Sequence, residues 1–289
     1  MSETFVVGDI HGQFDKLVGL LQRAKLINHH NDWCGGTNRV YFLGDFFDRG
    51  PDGIAGLDLV MRIQQQAASV GGQLHGLMGN HDALLIAVHR FGFSETSRIG
   101  GLLVESWQRN GGRMTDLQRL KQHHVEWLMS LPAMLLVGDR LLVHADAYLL
   151  YTSYGRSIEA VNRNIYKLMR SHNEEEWERF LTEFSERMAF FDDADMGVNG
   201  AQIASDFLRI FGGLQVVHGH TPIPKIIRQP PEVVTKPLVY ANGLCINIDG
   251  GMYLGGPGFA YRLPSWIESI ASFARKPGSE PPSLQTGHA

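Results

Sequence analysis

Five short polar strings, each standing where a strand-like apolar run stops, restrict this chain more than any other feature. They are Gly8-Asp9-Ile10-His11-Gly12, Gly44-Asp45-Phe46-Phe47-Asp48-Arg49-Gly50, Gly79-Asn80-His81-Asp82, His144-Ala145-Asp146 and Gly219-His220. The first three follow the apolar runs Phe5-Val6-Val7, Arg39-Val40-Tyr41-Phe42-Leu43 and residues 73–78. Between these runs, residues 13–25 and 51–68 place apolar side chains at helical spacing, and 81–90 reads as a short helix. Strand, helix, strand, helix, strand requires crossover connections, hence a layered α/β sheet. Polar strings at the strand ends then gather their side chains at one edge of that sheet.

The rest of the chain is less regular. Helical stretches are expected near 100–109 and 115–129, and strands at 134–137 and 140–143 joined by the turn-like Gly138-Asp139. Residues 155–191, rich in Glu, Arg and Asn, read as helical throughout, a cap or surface insertion rather than core. A helix at 199–211 precedes a strand at 214–217. Residues 223–228, 237–240, 244–248 and 258–262 read as antiparallel strands. The expectation is one domain over 1–274, and a disordered tail over 275–289, rich in Pro, Ser and Gly.

Composition limits the functions available. Apolar residues make up 44% and charged residues 19%, enough for a globular core, and the net charge of −4 without a block of one sign argues against nonspecific nucleic-acid binding. Two cysteines, Cys34 and Cys245, exclude a disulfide framework and suit a reducing compartment. No apolar run approaches the roughly 20 residues that cross a bilayer. The N-terminal residues lack a leader pattern. A cytoplasmic protein with neither membrane nor nucleic-acid partner is expected; oligomeric state is not legible.

The strings supply carboxylate, imidazole and amide oxygen, a donor set for divalent Mn, Fe or Zn. Two ions sharing Asp45 would divide the donors into Asp9, His11 and Asp45 for one, and Asp45, Asn80, His144 and His220 for the other. A lone Asp or His after a strand is usually a cap or turn residue; six donors gathered at the ends of five apolar runs are hard to obtain by chance. Two such cations activate water and neutralise phosphoryl oxygens, which suits hydrolysis of phosphate esters.

The ordered set GDIHG, GDFFDRG, GNHD, HAD and VHGHTP resembles the phosphoprotein phosphatase branch of the calcineurin-like metallophosphoesterases over residues 5–262. Trp107-Gln108-Arg109-Asn110-Gly111-Gly112 and Ile246-Asn247-Ile248-Asp249-Gly250-Gly251 look like its bacterial members, small protein phosphatases and symmetrical dinucleoside tetraphosphatases. The resemblance implies an α/β (α+β, four-layer) fold, a central β-sandwich flanked by helices, and two divalent ions, Mn first with Fe or Zn as alternatives. It implies in-line attack on phosphorus, His81 as general acid oriented by Asp48, and Arg49 gripping phosphate. Asp48 bonded to the His81 ring would favour the protonated imidazole.

The substrate implied first is phosphoserine or phosphothreonine in a protein, with another small phosphoester, or diadenosine tetraphosphate cleaved symmetrically, as the alternative. Tetraphosphatases often carry Ala where this chain has Asp48, which favours monoesters. A non-catalytic metal-dependent module is the third class. Protein phosphatases of this type place a second phosphate-binding Arg in an Asp-Arg-Gly-Val string. The matching stretch here is Asp195-Met196-Gly197-Val198, which leaves Arg156, Arg163 and Arg187 to replace it. Asp146 is read as bonding to backbone in its turn, His218 as supporting the site, and the pairs His29-His30 and His123-His124 as facing solvent.

Overall fold

The apolar runs become strands that stop where the polar strings begin. In the computed structural model, which describes residues 2–264, these are β1 (Thr4–Val7), β2 (Arg39–Phe42), β3 (Gln73–Gly76), β4 (Met134–Val137), β5 (Arg140–Val143), β6 (Gln215–His218), β7 (Leu238–Tyr240), β8 (Cys245–Asn247) and β9 (Ala260–Arg262). The helices are α1 (Phe14–Arg23), α2 (Gly53–Ser69), α3 (Asn80–Phe91), α4 (Gly100–Arg109), α5 (Met114–Arg119), α6 (Gln122–Met129), α7 (Leu149–Tyr154), α8 (Ile158–Leu168), α9 (Glu174–Glu183), α10 (Gly200–Phe211) and α11 (Ile223–Ile227).

One sheet has the order β3-β2-β1-β9, parallel except at β9; the other has the order β4-β5-β6-β8-β7, parallel through β5, β6 and β8. Because side chains alternate along a strand, each sheet has two apolar faces. Val6, Tyr41 and Leu43 from the first sheet meet Leu142, Val217 and Ile246 from the second in one buried cluster. Their neighbours Val7, Val40, Phe42, Leu141, Val143 and Val216 belong instead to the cluster that includes the helices' apolar residues. The result is two mixed sheets packed face to face and flanked by helices, the expected fold class. Runs buried on both faces explain why these strands read as continuous hydrophobic stretches.

Several expectations need correction. Residues 223–228 form helix α11, not a strand: Pro222 stands at its N-cap, and Pro224, with no N–H for a ladder, fits a first helical turn. Strand β8 is antiparallel to β7 but parallel to β6. The helix expected over 115–129 breaks at Leu120 into α5 and α6. Residues 155–191 are not helical throughout, and they are not merely surface. Val161 and Ile165 of α8, Trp177 and Phe180 of α9, and Phe184 and Phe190 beyond it are buried in the main core. Pro51 lies outside α2, whose cap is Asp52, accepting from the Ala55 N–H at 2.8 Å. The boundary at 274 and the tail over 275–289 lie outside the described residues. No helix among the described residues is long and apolar enough to cross a membrane.

Helix α2 positions the loop carrying Asp48 and Arg49, and its first turn is held from outside. Asp116 of α5, buried, accepts from the Gly53 N–H at 3.1 Å. Burial pushes its carboxyl up to about 6. Asp116→Ala leaves that amide without its acceptor, an effect comparable to loss of an N-cap. A stability loss of about 1–2 kcal/mol is expected. Denaturant unfolding checks it, and Asp116→Asn, which retains an accepting oxygen, should recover most of the loss.

Candidate metal centre

The segments leaving β1, β2, β3, β5 and β6 are tied to one another through backbone N–H groups, among them that of Gly219, which donates to the His144 carbonyl at 2.9 Å. The Ile10 and His11 N–H groups donate to the Asp45 carbonyl at 3.1 and 2.8 Å, and Gly12 to that of Phe46 at 2.8 Å. Asp82, in the first turn of α3, accepts from the backbone N–H of Asp45 (2.8 Å), Phe46 (2.9 Å) and Gly79 (3.1 Å). His220 N–H donates to both oxygens of Asp9 at 3.1 Å. A Cβ at Gly219 would collide with that Asp9 carboxylate, so only glycine fits there.

Such loops hold strained backbone. His11 (φ 47°), Asp45 (53°), Asp48 (69°), Arg49 (67°) and His220 (70°) all occupy the left-handed region. Each such residue costs about 1 kcal/mol or more and persists where surrounding bonds over-determine it.

Two sets of buried donors result, each with its ligand atoms within 4.8 Å of one another: Asp45, His144 and His220, and His11, Asp45 and His81. In the first, His144 Nε2 lies 3.0 Å from Asn80 Oδ1 and 3.4 Å from Asp45 Oδ1. His220 Nδ1 lies 2.9 Å from Asn80 Oδ1 and 3.2 Å from His144 Nε2. Donors about 2.1 Å from one ion stand roughly 3.0–3.4 Å apart, so this spacing suits a cation. In the second, His11 Nε2 lies 3.4 Å from Asp45 Oδ2 and 3.9 Å from Asp9 Oδ2. The two oxygens of Asp45 thus face different histidines.

Tautomers follow from the backbone. His11 Nδ1 donates to the Phe47 carbonyl and His144 Nδ1 to that of Leu43, both at 2.9 Å, leaving each Nε2 as a lone pair. Burial, reinforced by neighbouring cationic and imidazole groups, pushes His11 and His220 well below the ordinary histidine range and His144 to about 3. Burial pushes the Asp9 and Asp45 carboxyls well up, helped by Asp249 for Asp9 and by Asp82 for Asp45. Neutral imidazoles beside crowded carboxyls are the form that a divalent cation binds, and the residues fit one.

Beside this cluster, His81 Nδ1 donates to Asp48 Oδ2 at 2.6 Å, and Trp107 Nε1–H donates to Asp48 Oδ1 at 2.8 Å. Burial pushes Asp48 up to about 7, opposed by Trp107 and Arg49. Burial, then Arg49 and Arg187, push His81 well below its ordinary value, so these effects outweigh the proton-retaining influence of Asp48 expected from the sequence. The Arg49 guanidinium reaches both rings: Nη1 lies 2.7 Å from His11 Nε2 and Nη2 2.8 Å from His81 Nε2. Its backbone N–H donates to Gly111 at 2.7 Å, and its plane stacks 4.2 Å from the Tyr253 ring centre.

All nine residues singled out in the sequence therefore gather here. Sequence reasoning missed the supports. Asp82 lies in the third string, but nothing in the string marks it as a backbone acceptor. Trp107 stood in a marked string without a role. Of the arginines offered to replace the one absent at Met196, which is 77% exposed, Arg187 acts electrostatically on His81, His144 and His220. It is set there by Asp146, which bonds to the backbone of its own turn as expected and also accepts from the Met188 N–H at 3.0 Å, 42 residues away. His218 donates through Nδ1 to Gly219 O (3.0 Å) and accepts through Nε2 from the Tyr240 hydroxyl (2.7 Å), and it acts electrostatically on His144 and His220. His124, expected in solvent, is buried: Nδ1 accepts from the Lys121 N–H and Nε2 donates to Asp58. With both nitrogens committed, it leaves no lone pair for an ion beside Asp58 and His123.

The family profile of calcineurin-like phosphoesterases matches residues 4–243. The symmetrical bis(5'-nucleosyl)-tetraphosphatase of Neisseria gonorrhoeae is 29% identical over 143 residues, 49% of this chain and 42% of that protein. Shewanella-like protein phosphatase 1 of Plasmodium berghei is 33% identical over 78 residues, 27% of this chain and 22% of that protein. The chain thus spans less than half the length of these curated relatives. The crystal structure of a cold-active protein-tyrosine phosphatase from a psychrophilic Shewanella species superposes with a TM-score of 0.65 at 20% identity, covering 89% of this chain and 74% of that one. That likeness is one of fold.

Proposed function

Because the chain belongs to the calcineurin-like phosphoesterases, metal-dependent phosphoester hydrolases, we propose that it cleaves phosphomonoesters, with phosphoserine and phosphothreonine in proteins as the first substrates. The observation that carries this reading is Asp45, whose two oxygens each stand 3.4 Å from a different histidine and so can bridge two ions. Asp9, His11 and Asp45 would hold one cation, and Asp45, Asn80, His144 and His220 the other. Mn2+ suits this mixture of carboxylate, amide and imidazole, with Fe or Zn as alternatives. When bound, the pair supplies a nucleophile of lowered pKa and charge against the phosphoryl oxygens.

The remaining chemistry belongs to the chain. Arg49 cannot serve two imidazoles and a phosphate at once. In the loaded site His11 Nε2 would be taken by its cation, and a phosphate dianion draws the guanidinium off His81 Nε2 into a bidentate grip. Freed of that guanidinium, and with Nδ1 fixed on Asp48, His81 can carry a proton at Nε2 and deliver it to the leaving oxygen. Trp107 keeps Asp48 aimed. Arg187, at the rim, supplies the second positive charge.

The similarity to the Neisseria tetraphosphatase supports a second reading, symmetrical cleavage of diadenosine tetraphosphate. Retention of Asp48 favours the first. A panel with defined metals separates them. Mn-dependent dephosphorylation of a phosphoserine peptide, without ADP release from diadenosine tetraphosphate, supports the monoesterase. The reverse pattern replaces it. Two bound ions with neither activity would leave a binding module. Arg187→Ala should raise KM about 10-fold or more, since hydrogen bonds to charged groups contribute about 1.5–3 kcal/mol. Steady-state kinetics on the peptide checks this, and an unchanged KM removes Arg187 from the phosphate grip.

A further inference from the structure

One buried carboxylate beside the metal centre has no part in the roles above. Asp249 follows β8 and His220 follows β6, each two residues beyond the last parallel pair of the two strands, His218↔Asn247. The Ile248 N–H donates to the His218 carbonyl at 2.8 Å, which holds that register to the edge. From the other sheet, the end of β1 closes in, with Gly8 packed against the Ile248 carbonyl so closely that no side chain fits between them. Asp249 thereby comes beside Asp9.

The backbone bonds around Asp249 are those of a turn. Its Oδ1 accepts from the Gly251 N–H at 2.9 Å, and its own N–H donates to Asn247 at 2.8 Å. A turn of this kind is served equally by Asn or Ser. It accounts for one oxygen and requires no charge. Asp249 Oδ2 is fully buried, in a residue only 1% exposed, and has no hydrogen-bond partner among the described residues. Arg49, Arg187 and Lys225 bring positive charge to bear on Asp249. A carboxylate oxygen kept dry, unpaired and next to another carboxylate is costly unless a cation shares it.

We infer that Asp249 belongs to the cation-holding set, adding a carboxylate oxygen and its negative charge on the Asp9–His11 side of the pair. The inference rests on the two-cation reading of the site, and the test separates the two. Full-length protein is stripped with a chelator, Mn2+ is titrated back, and bound metal is counted and its affinities measured for wild type, Asp249→Asn and Asp249→Ser. Both variants retain an acceptor for the Gly251 amide.

The expected result is two ions on wild type and, in both variants, one ion weakened by about 10- to 100-fold, as for other supporting groups around metals. Metal-free melting gives a second readout. With a carboxylate removed from beside Asp9, the metal-free variants should melt at or above the wild-type temperature, while gaining less from saturating Mn2+. Wild-type affinities in both variants, or metal-free variants that melt lower with affinities unchanged, would assign Asp249 to the turn and overturn the inference alone. Fewer than two ions on wild type would overturn the two-cation reading and the inference with it.

Discussion

Asp45→Asn weakens both cations together, by about 100-fold or more each, because a shared ligand should cost at least as much as the 10- to 100-fold typical of supporting groups. The substitution is chosen so that little else changes. Asn tolerates the left-handed backbone that Asp45 adopts at φ 53°. Its amide oxygen can still accept the His81 N–H that Asp45 Oδ1 accepts at 2.9 Å. What disappears is the second anionic oxygen facing His11 Nε2 and the charge common to both halves. Burial and Asp82 already push the Asp45 carboxyl up, so the metal-free variant should be no less stable than wild type. Hydrolysis should fall by about 1,000-fold or more, the combined cost of losing two affinities. Metal counting on chelator-stripped protein decides the question. His144→Ala provides the contrast, since it should weaken only one ion. Loss of a single ion from Asp45→Asn would remove the bridge and the dinuclear reading that depends on it.

The parts of this arrangement legible in the sequence are those encoded locally. The order from β1 to α3 could be read because each run is short, with β1 and β2 buried on both faces, and stopped by Gly beside a polar residue. The nine site residues were legible because they sit in those stops. Other features depend on partners distant in the chain. Asp48 meets Trp107 across 59 residues and the Asp146 carboxylate meets Met188 across 42, distances at which no periodicity speaks. Asp249 was hidden by its context, since Asp-Gly-Gly after a strand reads as a turn, and the turn is there. The strain at His11, Asp45, Asp48, Arg49 and His220 has no sequence signal either, because glycine rather than a ligand is the residue that marks left-handed backbone. The segment over 155–191 misled for the opposite reason. Its Glu and Arg residues occupy the outer face of α9, while Trp177 and Phe180 on the inner face complete the main core. Charge content reported one side of a helix that has two. At 223–228, apolar Ile residues suggested a strand, but the prolines decided the outcome.

His81→Asn should lower kcat on a phosphoserine peptide by about 100- to 10,000-fold, the range associated with general acid catalysis. It should leave both cations bound. The geometry makes the second half of this expectation a real test. His81 lies within 4.8 Å of donors on His11 and Asp45, so it could be mistaken for a ligand of the first ion. Its nitrogens point to another role. Nδ1 is engaged with Asp48 at 2.6 Å, which Trp107 in turn holds at 2.8 Å, while Nε2 faces the Arg49 guanidinium. An imidazole fixed through one nitrogen, with the other turned toward the phosphate-binding arginine, is placed to protonate a leaving oxygen. Proton delivery matters in proportion to the basicity of that oxygen. A serine alkoxide needs the proton, whereas p-nitrophenolate departs with little help. The loss for His81→Asn should therefore be large on the peptide and small on p-nitrophenyl phosphate. Asp48→Asn should show the same dependence in weaker form, since it disturbs the ring without removing it. Equal losses on both substrates, with both ions retained, would assign His81 to binding the phosphoryl group. Loss of one ion would make it a ligand. Either result removes the acid from this mechanism.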